Sequence, residues 1–148
     1  MKQPLLLTLA TLLLPLSASA FEIRARSDNA MLDEPAITAM VQAIGSEIGN
    51  TIPQDPNIKV SVYTRAVVSK IEGQMIYFHR VQLTKAFAGR EPYPTAAWLP
   101  IKSVERYGVD GPGTLKASLE ATLRDFFQQM KSVDPKVGFR CPPQSKYC

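Results

Sequence analysis

The sequence predicts an α+β protein, a two-layer sandwich with an antiparallel sheet of three to four strands and two helices on one of its faces, in the order (β)-α-β-β-β-α. Three observations lead there. Ile37, Met40, Val41, Ile44 and Ile48, and later Leu115, Leu119, Leu123, Phe126, Phe127 and Met130, recur at three- and four-residue spacing, so each segment presents one apolar stripe. Residues 58–70 and 74–87 alternate instead, the period of a half-buried strand. Glu72-Gly73 between them marks a hairpin, and a one-sided sheet needs one-sided helices to cover it.

Each element has its own local cause. Residues 21–26, Phe-Glu-Ile-Arg-Ala-Arg, alternate apolar and charged side chains, a short strand suited to a sheet edge. Asp33-Glu34-Pro35 starts a helix: Asp33 can cap it, acids suit its positive end, and Pro is tolerated in the first turn. Gly49-Asn50 ends that helix, and Pro53 and Pro56 make 51–57 a loop. In 58–70, Ile58, Val60, Val62, Thr64, Ala66 and Val68 share one face; Lys59, Ser61, Tyr63, Arg65, Val67 and Ser69 share the other. With Glu72 and Gly73 alone as the loop, Val68 faces Tyr77, Ala66 faces His79, Thr64 faces Val81 and Val62 faces Leu83. On the other side Arg65 then faces Arg80, Val67 faces Phe78, Tyr63 faces Gln82 and Ser69 faces Ile76. A one-residue slip would carry Arg80 and Gln82 to the side of Val60 and Val62, so the core face includes Met75, Tyr77, His79, Val81 and Leu83. Residues 88–95, with Gly89, Pro92 and Pro94, form a loop. Residues 96–109 hold a third strand, in which Pro100 marks an edge or a bulge. Asp110-Gly-Pro-Gly113 breaks the chain before the second helix, which Asp134-Pro135 ends.

Residues 1–20 read as a cleavable export signal. Lys2 supplies the positive start, 5–16 is an apolar stretch well short of the ~20 residues that cross a bilayer, and Ser17-Ala18-Ser19-Ala20 has the small-x-small pattern for cleavage before Phe21. What is left is one domain, 21–133, and a tail, 134–148. No later apolar run reaches membrane length, so the expected location is the periplasm or the medium. Cys141 and Cys148, an even and closely spaced pair, are expected to bridge in that compartment. The formal net charge of +4, one less once Lys2 is removed, is too small for a nucleic-acid binder. Hydrophobic residues at 45% and charged residues at 20% exclude wholesale disorder.

The catalytic inventory is short. His79 is the only histidine, and hairpin parity puts it on the core face, where a histidine ordinarily serves as a hydrogen-bonded packing residue. Gly111-Pro112-Gly113 precedes a helix but has Lys116 where a dinucleotide-binding turn needs its third glycine, so it serves as a strand-to-helix turn. Asp33 with Glu34, and Glu120 with Asp125, sit at a helix start and on a solvated helix face, without an apolar pocket to raise a carboxyl pKa. Two cysteines and one distant histidine do not make a zinc site, and no cofactor is expected. The 141–148 loop, stiffened by Pro142-Pro143 and displaying Lys146, resembles the reactive loops of small disulfide-ring serine-protease inhibitors. It departs from them in having its prolines before the lysine and a ring one residue shorter.

What remains is the second sheet face, with Tyr63, Arg65, Val67, Phe78 and Arg80. Like charges directly across strands are destabilising unless something anionic offsets them. Aromatic and aliphatic side chains beside arginine are also interface composition. The sequence therefore predicts a small exported binding or accessory module that docks a protein or ligand on an open sheet face, or associates with itself, without chemistry of its own. The alternative is a small secreted hydrolase-like enzyme using His79. A third reading is a hydrolase or protease inhibitor acting through the 141–148 loop.

Overall fold

The computed structural model describes residues 21–87 and 97–133. Its elements are β1 (Glu22–Ser27), α1 (Glu34–Ile48), β2 (Ile58–Val68), β3 (Met75–Phe87), β4 (Ala97–Asp110) and α2 (Leu115–Met130), with a single 3₁₀ turn, Pro112–Thr114, leading into α2. The strands form one sheet in the order β1-β2-β3-β4. Both helices pack on one face of it, giving the two-layer α+β sandwich. The proposed signal, the 88–95 loop, Asp134-Pro135 and both cysteines lie outside the described residues.

The sheet is mixed rather than wholly antiparallel. β1 runs parallel to β2, while β2–β3 and β3–β4 are antiparallel. A helix between two neighbouring strands returns the chain to the same end of the sheet, which makes them parallel. α1 begins as its sequence dictates: the Asp33 carboxylate accepts a hydrogen bond from the Ala36 N–H at 2.8 Å, and Pro35 stands in the first turn. It ends at Gly49, whose φ of 83° is a left-handed conformation that glycine adopts without steric cost.

The hairpin register differs from the two-residue loop by two positions. Ser69 N–H donates to the Gln74 carbonyl and Gln74 N–H to the Ile71 carbonyl, so the loop is Lys70-Ile71-Glu72-Gly73, closed by a turn with Gly73 at φ 73°. Thr64 therefore faces His79, Val62 faces Val81 and Val60 faces Leu83. A shift of two preserves which side chains share a face but changes every partner. Arg65 lies opposite Phe78, Val67 opposite Ile76 and Tyr63 opposite Arg80; the direct Arg65–Arg80 pair does not form. A register irregularity between β3 and β4 falls at Leu83 and Thr84, with Thr84 opposite Pro100, where the missing N–H of proline is tolerated.

The core lies between the sheet and the helices. Ile37, Val41 and Ile44 from α1, Val60, Val62, Val81 and Leu83 from the sheet, and the full α2 stripe are buried together. Thr122 joins them by returning its hydroxyl to the Ser118 carbonyl at 2.8 Å, which leaves its methyl for packing. β2 and β3 overrun this core at the hairpin end. Val68, of core-face parity, is 82% exposed there.

Candidate functional site

The face of the sheet away from the helices is built from alternate residues of four strands. At one level across it stand Arg26, Tyr63, Arg80 and Glu105, each opposite the next on the neighbouring strand. The next level holds Arg65, Phe78 and Tyr107, and the one beyond it Val67, Ile76 and Val109. On the other side of the first level lie Arg24, Ser61, Gln82 and Ser103. All five residues expected to bind, Tyr63, Arg65, Val67, Phe78 and Arg80, are thus on this one face. The sequence pattern missed the contribution of the two outer strands: Arg24 and Arg26 from β1, Tyr107 and Val109 from β4. The charge–apolar alternation at 21–26 was the signal that could have found the first pair.

The face has two halves of different character. Toward the hairpin it is apolar and open to solvent, with Val67 43%, Ile76 48%, Val109 56% and Tyr107 82% exposed. Toward the other end it is cationic. Arg80 donates through Nε to Glu105 at 2.7 Å and lies over the Phe78 ring at 5.2 Å, so the charge that the expected Arg65–Arg80 pairing left uncompensated is met within the sheet. Tyr63 donates its hydroxyl to Asp28 at 2.8 Å. That hydrogen bond, with burial and the Asp28 charge, raises the phenol pKa, while Arg65 and Arg26 oppose the shift. Arg26 and Arg65 make no ion pair among the described residues. Lys59 is only 8% exposed, held 3.2 Å from Glu22 and 3.7 Å from the centroid of the Trp98 ring.

A cleft of about 600 Å³ opens on the β1 side of this face. Arg24, Arg26 and Arg80 line it with Ser61, Tyr63 and Gln82, and it continues around β1 to Ile23, Ala25 and the first turns of α1 at Glu34 and Thr38. Arg24 is paired with Glu22 and Arg80 with Glu105, so Arg26 is the guanidinium of the cleft without an ion pair among the described residues, and its fork suits a carboxylate.

His79 sits elsewhere, sealed under the helices. It is 0% exposed, its Nδ1 lies 2.8 Å from the Thr64 hydroxyl, and its ring stacks on Tyr77 at 5.1 Å. Its Nε2 is buried without a hydrogen-bond partner. Burial, reinforced by the Arg106 charge and opposed by the Leu115 backbone, pushes its pKa down to about 4. His79, the residue of the hydrolase alternative, is thus without access to solvent and does not line the cleft on the open face. No group of three metal-ligating side chains occurs among the described residues, and no helix there is long and apolar enough to cross a membrane. No known protein-family model matches the chain, and no curated protein matches it either.

Proposed function

We propose that this protein is a small exported accessory module that docks a partner protein on the open face of its sheet. One observation carries the reading: an apolar patch of Val67, Ile76, Tyr107 and Val109, uncovered among the described residues and continuous with a cationic half that holds Arg26 and Arg65 without ion pairs. Exposed aliphatic and aromatic groups bordered by arginine are the composition of a protein–protein interface. Lone exposed apolar residues are ordinary, but these four lie side by side on adjacent strands.

The double variant Ile76→Asp/Tyr107→Asp tests this. Both side chains are solvent-exposed, so the variant keeps the wild-type circular dichroism. In capture from periplasmic extract, proteins retained by the wild type should be lost with the double variant; retention of the same set by both would overturn the reading. Export and the tail belong to the same proposal. Intact mass of the exported protein is expected to correspond to a chain starting at Phe21 with Cys141 and Cys148 joined, and thiols that alkylate without reduction would remove the bridge.

A further inference from the structure

We propose that the cleft along β1 takes an extended, acidic segment of the partner, which adds to β1 as a fifth strand and sets alternate carboxylates against the arginines. The inference rests on the docking reading above and names the chemistry of the partner.

β1 is an edge strand, hydrogen-bonded only to β2 among the described residues, so one row of its backbone N–H and C=O groups is available to another strand. Arg24 and Arg26 stand two residues apart on its outer face, about 7 Å along the strand. Arg24 shares the single carboxylate of Glu22 with Lys59, so the row keeps an excess of cations that carboxylates at alternate positions of an added strand offset. Arg26 lacks an ion pair among the described residues, and Tyr63 separates it from Arg80 in the same row. The other side of the cleft has the opposite preference. Ile23 and Ala25 are partly buried there, and Glu34 of α1 lines the wall, which repels an acid and admits a small or apolar side chain. The two walls together specify an acidic–apolar alternation and fix which side chains of the incoming strand face out.

Charge decides between occupants. The chain's own undescribed segments do not supply alternating acids: 134–148 has Lys136, Arg140 and Lys146 against Asp134, 88–96 has Arg90 with Glu91, and 1–20 has no acid. A second copy paired two-fold through β1 would set Glu22 against Arg26 only in the register that also sets Arg24 against Arg24, so it leaves one like-charge pair that an acidic segment avoids. An acidic segment from another protein satisfies both walls.

The test is fluorescence anisotropy with a labelled peptide of alternating Glu and Val, against the full mature protein. The wild type should bind it and not the Lys-Val counterpart, with affinity that falls as salt rises. Arg24→Glu/Arg26→Glu should weaken binding by at least about tenfold, while Lys116→Glu, a reversal of the same sign on the exposed side of α2, should leave it unchanged. N-methylation of the alternate peptide nitrogens that face β1 should abolish binding. Equal binding of the Lys-Val or N-methylated peptide, indifference to the β1 reversals, or attachment to phosphatidylglycerol vesicles in place of the peptide would each overturn the proposal. Those failures leave the capture result with Ile76→Asp/Tyr107→Asp standing, so the two readings fail separately.

Discussion

His79 shows what a single residue contributes when its polarity is enclosed. The folded ring titrates near 4 against an ordinary 6.5, with burial as the main cause. Between those values the unfolded chain binds a proton that the folded chain refuses, so stability is complete above about pH 6.5 and falls as the pH drops toward 4. The full loss is about 3 kcal/mol, from the size of the shift. Glu22 and Glu47 are held below the ordinary carboxyl value of 4.5, so their contribution is lost only at more acidic pH. Urea unfolding between pH 7 and pH 5 therefore isolates the histidine: the wild type should weaken across that range and His79→Leu should not, and matching slopes would refute the assignment. Thr64→Val removes the hydroxyl beside Nδ1 and should cost about 1–3 kcal/mol at neutral pH, as expected for a buried polar atom left unpaired. His79 on the core face was legible from alternation alone. Thr64 as its partner was not, because that needed the register.

At the scale of elements, face and partner are separate pieces of information, and alternation carries only the first. The side chains of Val60, Val62, Val81 and Leu83 had to share the core face in any register that buries them, and they do. Which residues oppose one another depends on loop length, and Glu-Gly is compatible with both a two-residue and a four-residue connection. Through the separate β3–β4 register Arg80 meets Glu105, a residue that no local pattern could have placed beside it. Helix stripes were more completely legible, since a period fixes the buried face directly; all six α2 stripe residues are buried. The contact between the helices was not legible. Gly45 of α1 is buried where a Cβ would stand 3.0 Å from the Phe127 ring, so the absence of a side chain sets how closely the helices approach. Phe127 is itself held edge-on to Phe126 at 5.3 Å and has little freedom to move. Gly45→Ala should stay within about 1 kcal/mol of wild type, because the gain in helix propensity offsets the tight contact. Gly45→Val should lose about 2–3 kcal/mol by overpacking. A Val variant with an unchanged melt would mean that the helices can separate without cost. Gly108 plays the same part in the sheet, where a Cβ would fall 2.5 Å from the Tyr77 hydroxyl and 2.7 Å from its ring.

For the whole molecule, the layers assign different tolerances to the two sheet faces. Arg80 is exposed together with its partner Glu105, so Arg80→Ala should change stability by no more than about 1 kcal/mol even though it alters the open sheet face. Leu123→Ala, under the sheet and 0% exposed, should cost about 2–5 kcal/mol. The same contrast reaches the proposed signal-cleavage site. Phe21 would be the first residue after signal removal, and it is 7% exposed with its ring 6.5 Å from that of Phe127. It therefore belongs to the core that both helices share, and cleavage one residue later would remove a core side chain as well as shorten the chain. Glu22 next to it begins β1 and carries ion pairs to Arg24 and Lys59, which a shortened chain would keep. Mature chains beginning at Phe21 and at Glu22 should thus differ by about 3–5 kcal/mol in urea unfolding, the range for loss of a buried Phe. Phe21→Leu, which retains most of the apolar volume, should recover the larger part of that difference. Equal stability of the two chains would show that the first residue frays in solution, and the core would then begin at Ile23.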